Sequence, residues 1–461
     1  MKEYLTPLIQ IQRFFLPGLL ALLCWAIWRV VWKKDLAVGL VLYLGLVIIV
    51  DGFMNTGIYI LGLDRGSIRY SEICAAVLFA KRPPASSERS PNRLIYFLLG
   101  LYFILLLVSA LRIHPVLDGI YEFRRLIVPQ IVGFLVAMRA LNSSGEYRRF
   151  FLCLTALVIF VGLFNFWDIF FDRWILHGDM LFKPEYFYNR GIKRFGSVFL
   201  NPNMLGAFAV LTFPLLFVRA LNERKNWIRL YAWAGLSSLV FCLVETQSRG
   251  PLLAFGITLL VMVFGPSGGI PRKRLIGFLV LFFMIFVFFM PGFFQHAVER
   301  FNLLDKEITT EELSRKGIWL STLSIIRDYP LGGIGFGEQQ FLNVLESYGV
   351  REKYGRMLDN PHNSYLQIAV YAGIPTLAVF LLVNSLLIFK SMKMCATRKT
   401  GEIVDPSFFG LTVGIVGFLA AIYPDMALFT QNVAPVYWVF FGLLMSLLAK
   451  TSNAKLELMG T

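Results

Sequence analysis

Apolar runs of about 17–25 residues, the length that crosses a bilayer as an α-helix, recur along almost the whole chain. The candidates fall near 14–32, 36–60, 67–80, 94–111, 119–138, 150–171, 197–218, 228–244, 251–265, 274–291, 363–389, 407–424 and 433–449. Several are short or broken by Gly and Pro, so the pattern predicts about twelve spanning helices. Period-two alternation of the barrel kind is missing from these runs, which makes the predicted class an all-α integral membrane protein. The N-terminal run lacks a short apolar core followed by a small-residue cleavage site, so it reads as an anchor.

Polar positions divide the chain into three parts: N-terminal helices over 1–291 with an external loop at 172–196, a long soluble segment at 292–362, and C-terminal helices over 363–461. The loop at 172–196 is aromatic and basic. Within the long segment, ITTEELSRKGIWLSTLSIIRDYP has apolar residues at helical spacing and Thr309–Thr310 ahead of Glu311–Glu312, a capped helix start. The LGGIGFG run that follows fits a tight irregular turn and is not a dinucleotide fingerprint, because no βαβ context surrounds it. Loops beyond about 12–15 residues usually carry function or are disordered.

Composition agrees with the pattern: 57% of the 461 residues are hydrophobic and the mean hydropathy is +0.65. A net charge of +15 raises nucleic acid as a partner. Its placement answers that. Lys33–Lys34, the KRPPASSERSPNR linker, Arg139 with Arg148–Arg149, RALNERKNWIR, PRKR and Lys390 to Lys399 sit in alternate short loops, as the positive-inside rule predicts for cytoplasmic loops. That orientation puts 172–196 and 292–362 on the external face and the C-terminus inside. Parity fails once, so one of the first three segments does not span; 67–80 or a re-entrant piece around GFMNTGIYILG is the candidate. The five cysteines are scattered without a CxxC, and the four histidines lack metal-site spacing, so neither disulfides nor a metal centre are expected.

Chemistry concentrates at external membrane boundaries. Arg249, in ETQSRGPLLAF, lies between two apolar spans, where it is either a snorkelling interfacial side chain or a cation facing a cavity; Gly250–Pro251 reads as the turn that aims it. Arg315 opens the amphipathic helix of the long segment and is either a solvated face charge or a second guanidinium, the fork that matches phosphate oxygens. His362, in DNPHNSYLQ, precedes a helix that Asn360 or Asn363 can cap; a neutral imidazole there can take the proton of an attacking hydroxyl. Asp359 can orient it or act as the base itself. Asn201 and Asn203, in RFGSVFLNPNMLGAF, are either sugar-binding amides or an ordinary Asn-Pro helix start.

Four motifs in order resemble the bacterial O-antigen ligases and the related O-antigen polymerases. They are GSVFLNPNMLG, the SRG of Ser248 to Gly250, the R-x-x-x-W of Arg315 and Trp319 followed by LGGIGFG, and His362-Asn363 with Gly373 and Thr376 ten and thirteen residues beyond Asn363. The resemblance covers about residues 190–390. It implies a glycosyltransferase of the GT-C type, with one large periplasmic loop containing helices, at the bacterial inner membrane. Such ligases join O-antigen from undecaprenyl pyrophosphate to the outer sugar of lipid A–core, without metal or other cofactor and with inversion. The family's essential residues fall on Arg249 and Arg315 for the pyrophosphate and on His362 beside the acceptor hydroxyl. A third cation is expected from Arg194, Lys193 or Lys316, with Asn363 beside the histidine. Arg351, Lys353 and Arg356 either meet phosphates of the acceptor or form a solvated face balanced by Glu346, Glu352 and Asp359. The competing readings are an O-antigen polymerase, a protein O-oligosaccharyltransferase and, more distantly, a transporter, although no internal repeat of the transporter kind is present.

Overall fold

In the computed structural model the described residues are 29–30, 35–53, 69–80, 92–141, 143–170, 175–177, 180–182, 188–189, 192–266, 272–289, 310–349, 360–396 and 407–459. Most of the first apolar run, the linker at 81–91, most of GFMNTGIYILG, and Asp359, Arg351, Lys353 and Arg356 lie outside them.

The described chain is all-helical in its architecture, with two short antiparallel hairpins in the loop at 172–196. Strand β1 (Ile175–His177) pairs with β2 (Met180–Phe182), and β3 (Tyr188–Asn189) with β4 (Ile192–Lys193). The helices before them are α1 (Leu36–Gly45), which continues as a π-helix over Leu46–Phe53, α2 (Tyr70–Ala80), α3 (Arg93–Leu111), α4 (Val116–Leu126), α5 (Val128–Ala140) and α6 (Ser144–Phe170). After them come α7 (Pro202–Asn222), α8 (Asn226–Glu245), α9 (Arg249–Phe264), α10 (Arg272–Phe289), α11 (Thr310–Asp328), α12 (Glu338–Ser347), α13 (Ser364–Ala372), α14 (Ile374–Ala396), α15 (Ser407–Ala421) and α16 (Ala434–Met459). Among the described residues, five helices are long and apolar enough to cross a membrane: α3, α6, α7, α8 and α14. The apolar stretches of α1, α9, α15 and α16 are shorter.

Two expected spans are broken, each for a local reason. The run at 119–138 divides into α4 and α5 at Ile127. Helix α4 carries Asp118, Glu122, Arg124 and Arg125 in eleven residues, too many charges for the apolar slab. Pro129 lacks an N–H and its ring opposes the carbonyl four residues earlier, so α5 starts afresh around it. The run at 363–389 breaks at Gly373, whose φ of +87° ends α13. Gly373 lies so close to the Leu331 backbone that a Cβ would sit 2.5 Å from the Leu331 carbonyl carbon. The LGGIGFG turn laces onto this break. Ile334 N–H donates to the Val370 carbonyl at 2.8 Å, Gly335 N–H to Tyr371 at 3.1 Å, and the Pro330 carbonyl accepts from Ile374 N–H at 2.8 Å. The glycine-rich run therefore satisfies carbonyls that a broken helix exposes.

Helix α7 is the centre of the bundle: 89% of its apolar window is buried, against 33–50% in the other four spanning helices. It runs beside α8, α9 and α15. Helix α15 presents Gly410 and Gly414 to the α7 backbone at Leu211, Pro214 and Leu215, the small-residue packing that lets membrane helices approach. Helices α5 and α16 form a second close pair.

Candidate functional site

The site assembles at the ends of helices, where their backbones leave polar groups to be satisfied. Helix α7 begins at Pro202 with Asn201 as its N-cap, the Asn201 side chain accepting from Asn203 N–H at 2.8 Å. Helix α9 begins at Arg249 with Ser248 in the N-cap position. Gly250–Pro251 is thus the first turn of a helix and does not make the expected turn. The reversal sits at Gln247, with φ +46°, where Ser248 N–H donates to Thr246 Oγ1 at 3.2 Å. Arg249 is exposed at the positive end of α9, where backbone N–H groups and the helix dipole favour anions.

Arg194 ties these two helix starts together. Its Nε donates to the Thr246 carbonyl at 3.1 Å, and its Nη2 to Asn203 Oδ1 at 2.9 Å and Ser248 Oγ at 2.5 Å. Ser248 Oγ also donates to Asn203 Oδ1 at 2.6 Å. Arg194 and Asn203, expected to face substrate, are thus engaged by protein groups and align the NPN and SRG segments. Gly206 and Pro251 extend that contact into the bundle, since a Cβ on Gly206 would meet Pro251 Cβ at 2.5 Å.

His362 stands in the turn before α13 with φ +47°. Its N–H donates to Asn360 Oδ1 at 2.9 Å. Asn363 caps α13, accepting from Tyr365 N–H at 3.0 Å and Leu366 N–H at 3.1 Å; of the two asparagines read as possible caps, it is the one that acts. Asn360 instead fixes the backbone of His362.

One short turn joins all of these pieces, and the sequence reading passed over it. Tyr423–Pro424–Asp425 follows α15. Its Asp425 carbonyl accepts from Ser364 N–H at 2.9 Å and Ser364 Oγ at 2.8 Å, fixing the start of α13 beside His362. Pro424 lies against Gly250, where a Cβ would meet Pro424 Cγ at 2.5 Å. The Tyr423 ring stands 5.8 Å from Trp319, and Trp319 Nε1 donates to the Pro361 carbonyl at 2.8 Å. Arg315 lies four residues before Trp319 on α11, about one helical turn away. So Tyr423–Asp425 binds the helix that starts with Arg249, the turn that holds His362 and the helix that carries Arg315. Lys316 lies on the same helix; Lys193 ends β4, next to Arg194. The only signal of the turn in the sequence is a Pro-Asp pair between two apolar runs, which reads as an ordinary loop.

Beside the turn a cavity of about 250 Å³ opens, with Asn201 and Asn360 on its wall. Farther out, in the long segment, the Tyr348 hydroxyl donates to Asp328 Oδ2 at 2.5 Å, and that bond pushes its pKa up to about 12.

The fold and site define a multi-pass helical membrane protein whose helix ends gather two arginine-bearing elements and a histidine at one polar junction. Residues 233–381 match the family described as O-Antigen ligase. The match covers less than half of the chain and marks this stretch as similar to that family. It contains Arg249, Arg315, His362, Gly373 and Thr376, and it leaves out Arg194, Asn201 and Asn203. No curated protein matches the chain.

Proposed function

We propose that the chain is a glycosyltransferase that moves O-antigen polysaccharide from undecaprenyl pyrophosphate onto lipid A–core. It works at the periplasmic face of the bacterial inner membrane, through about twelve spans of the GT-C type. The observation that supports this reading best is the Tyr423–Asp425 turn, which holds the start of α9, the His362 turn and α11 against one another.

In this mechanism the acceptor hydroxyl oxygen attacks the anomeric carbon. The bond from that carbon to the phosphate oxygen breaks, and undecaprenyl pyrophosphate leaves with the electron pair. His362 takes the hydroxyl proton, with Asp359 orienting it or serving as the base. Attack opposite the leaving group inverts the anomeric centre. Arg249 and Arg315 stabilise the departing pyrophosphate, aided by the positive end of α9 and by Lys316. Because pyrophosphate is a good leaving group, no second catalytic acid is required. Arg351 and Arg356 meet phosphates of the acceptor.

The test is transfer by purified protein in detergent, with undecaprenyl-pyrophosphate-linked O-antigen and lipid A–core, without nucleotide and with EDTA. A ladder shifted onto lipid A–core is the expected result. Longer glycans that stay on undecaprenyl pyrophosphate make the chain a polymerase and remove the acceptor roles of Arg351 and Arg356.

A further inference from the structure

The cavity beside the Tyr423–Asp425 turn has a chemistry of its own. Two buried amides stand on its wall, Gln367 on α13 and Asn432 just before α16, at 4% and 9% exposure. Their nitrogen ends are satisfied: Gln367 Nε2 donates to the Tyr371 hydroxyl at 3.2 Å and Asn432 Nδ2 to the Phe199 carbonyl at 3.3 Å. Their oxygens, Gln367 Oε1 and Asn432 Oδ1, are buried without a hydrogen-bond partner. A buried acceptor left unpaired carries a desolvation cost that nothing offsets, so two on one wall mark a place where a ligand supplies donors. Arg125 adds a donor, since its Nη2 pairs with Glu122 at 2.6 Å while its Nε has no hydrogen-bond partner. Tyr371 and Phe429 line the same space with aromatic surface, whose negative ring faces attract C–H edges.

Size narrows the ligand. At roughly 30 Å³ per water, the volume exceeds what one or two bridging waters fill. It also falls just below the ~300–1,000 Å³ of ordinary small-molecule pockets, a space that one ring fills while its neighbours extend through the open side. A ring that offers several O–H donors along its edge and C–H groups on its face is a sugar. Asn360, on the same wall, hydrogen-bonds the backbone of His362, which places the cavity next to the base.

We infer that this cavity is a monosaccharide subsite in which Gln367 and Asn432 accept hydrogen bonds from hydroxyls of a single sugar ring. The inference rests on the glycosyltransferase reading. The ring belongs either to the donor, next to the pyrophosphate, or to the acceptor, at its outer end. The shared chemistry is the same and kinetics separate the two. Gln367→Met and Asn432→Leu keep side-chain bulk and remove the acceptors. With full-length protein, initial rates are measured with donor varied at saturating acceptor and the reverse. A lost neutral hydrogen bond of about 0.5–1.5 kcal/mol corresponds to roughly a two- to twelvefold rise in KM. The expected result is that rise for one substrate only, with kcat within about a factor of two and the other KM unmoved. The substrate affected names the source of the ring, and the unmoved KM shows that the fold survives. Active variants with both KM values at wild-type level overturn the subsite and leave the enzyme reading intact. Inactive wild-type protein defeats the enzyme reading. The cavity is then judged by saturation-transfer NMR with glucose, galactose and N-acetylglucosamine. A signal lost in the Gln367→Met/Asn432→Leu double variant upholds the subsite, and no signal, or one the double variant keeps, overturns it.

Discussion

Gly250→Ala is a small change at the point where the Arg249 helix meets the Tyr423–Asp425 turn. A Cβ there sits 2.5 Å from Pro424 Cγ and 3.3 Å from Pro424 Cβ. Ordinary carbon contacts lie at about 3.5–4.0 Å, so either the start of α9 or the Pro424 turn has to move by roughly 1 Å. Neither is the tip of a flexible side chain: Pro424 is a ring fixed in the backbone, and its neighbour Asp425 is bonded to Ser364. Overpacking of this kind costs ~1–3 kcal/mol, offset by up to ~1 kcal/mol of helix propensity gained by Ala over Gly. The net is a destabilisation on the order of 1 kcal/mol. Turnover suffers more, because a 1 Å displacement of Arg249 from His362 is worth about 10²-fold in rate. Gly256→Ala, on the same helix with nothing within 4 Å of the added carbon, is the control and should match or slightly exceed wild-type stability. Thermal unfolding in detergent and initial rates of glycan transfer are read for both variants. Wild-type melting and turnover in Gly250→Ala would refute the idea that this contact positions the site.

Four further outcomes follow from the same geometry. Arg249→Lys and Arg315→Lys keep the charge but lose the bidentate fork, so each should lower kcat/KM for the lipid-linked donor by about 10²-fold; full activity in both removes the pyrophosphate clamp. His362→Ala should abolish transfer, a loss of at least about 10²-fold, while the protein still inserts into membranes, and normal turnover takes histidine out of the mechanism. Arg194→Ala deletes the bonds to Thr246, Asn203 and Ser248 and should cost on the order of 2–3 kcal/mol in unfolding measurements; unchanged stability with a raised donor KM would make Arg194 the third substrate cation instead. Trp319→Phe keeps the ring against Tyr423 but loses the bond to Pro361, costing about 0.5–1.5 kcal/mol, read as faster proteolysis within the long segment; wild-type cleavage rates show that α11 is held by other contacts.

Much of this protein is written in one-dimensional pattern. Burying twenty apolar residues in lipid depends on their run length alone, so the membrane class could be read without a fold. Helix starts are nearly as local: the caps at Asn201 and Asn363 depend on a side chain reaching backbone two or three residues on. The sequence also carried the charges and the histidine at the ends of apolar runs, because those positions are read by counting along the chain.

What it did not carry is who faces whom. Arg194 reads as a free cation in sequence and is an internal staple in space, because Thr246 and Ser248 lie more than fifty residues away. Gly373 looks like a residue within one long helix. The break is fixed by Pro330–Gly335, whose backbone replaces the missing helical bonds. Tyr423–Pro424–Asp425 has no distinctive composition, and its importance comes from three long-range contacts made at once. The unpaired oxygens of Gln367 and Asn432 are invisible until packing removes water from them. Sequence by itself determined the solvent, the helices and the chemical groups on offer. Only tertiary structure decided which of those groups were used up by the protein and which were left for a ligand, since satisfying a polar group depends on its neighbours in space.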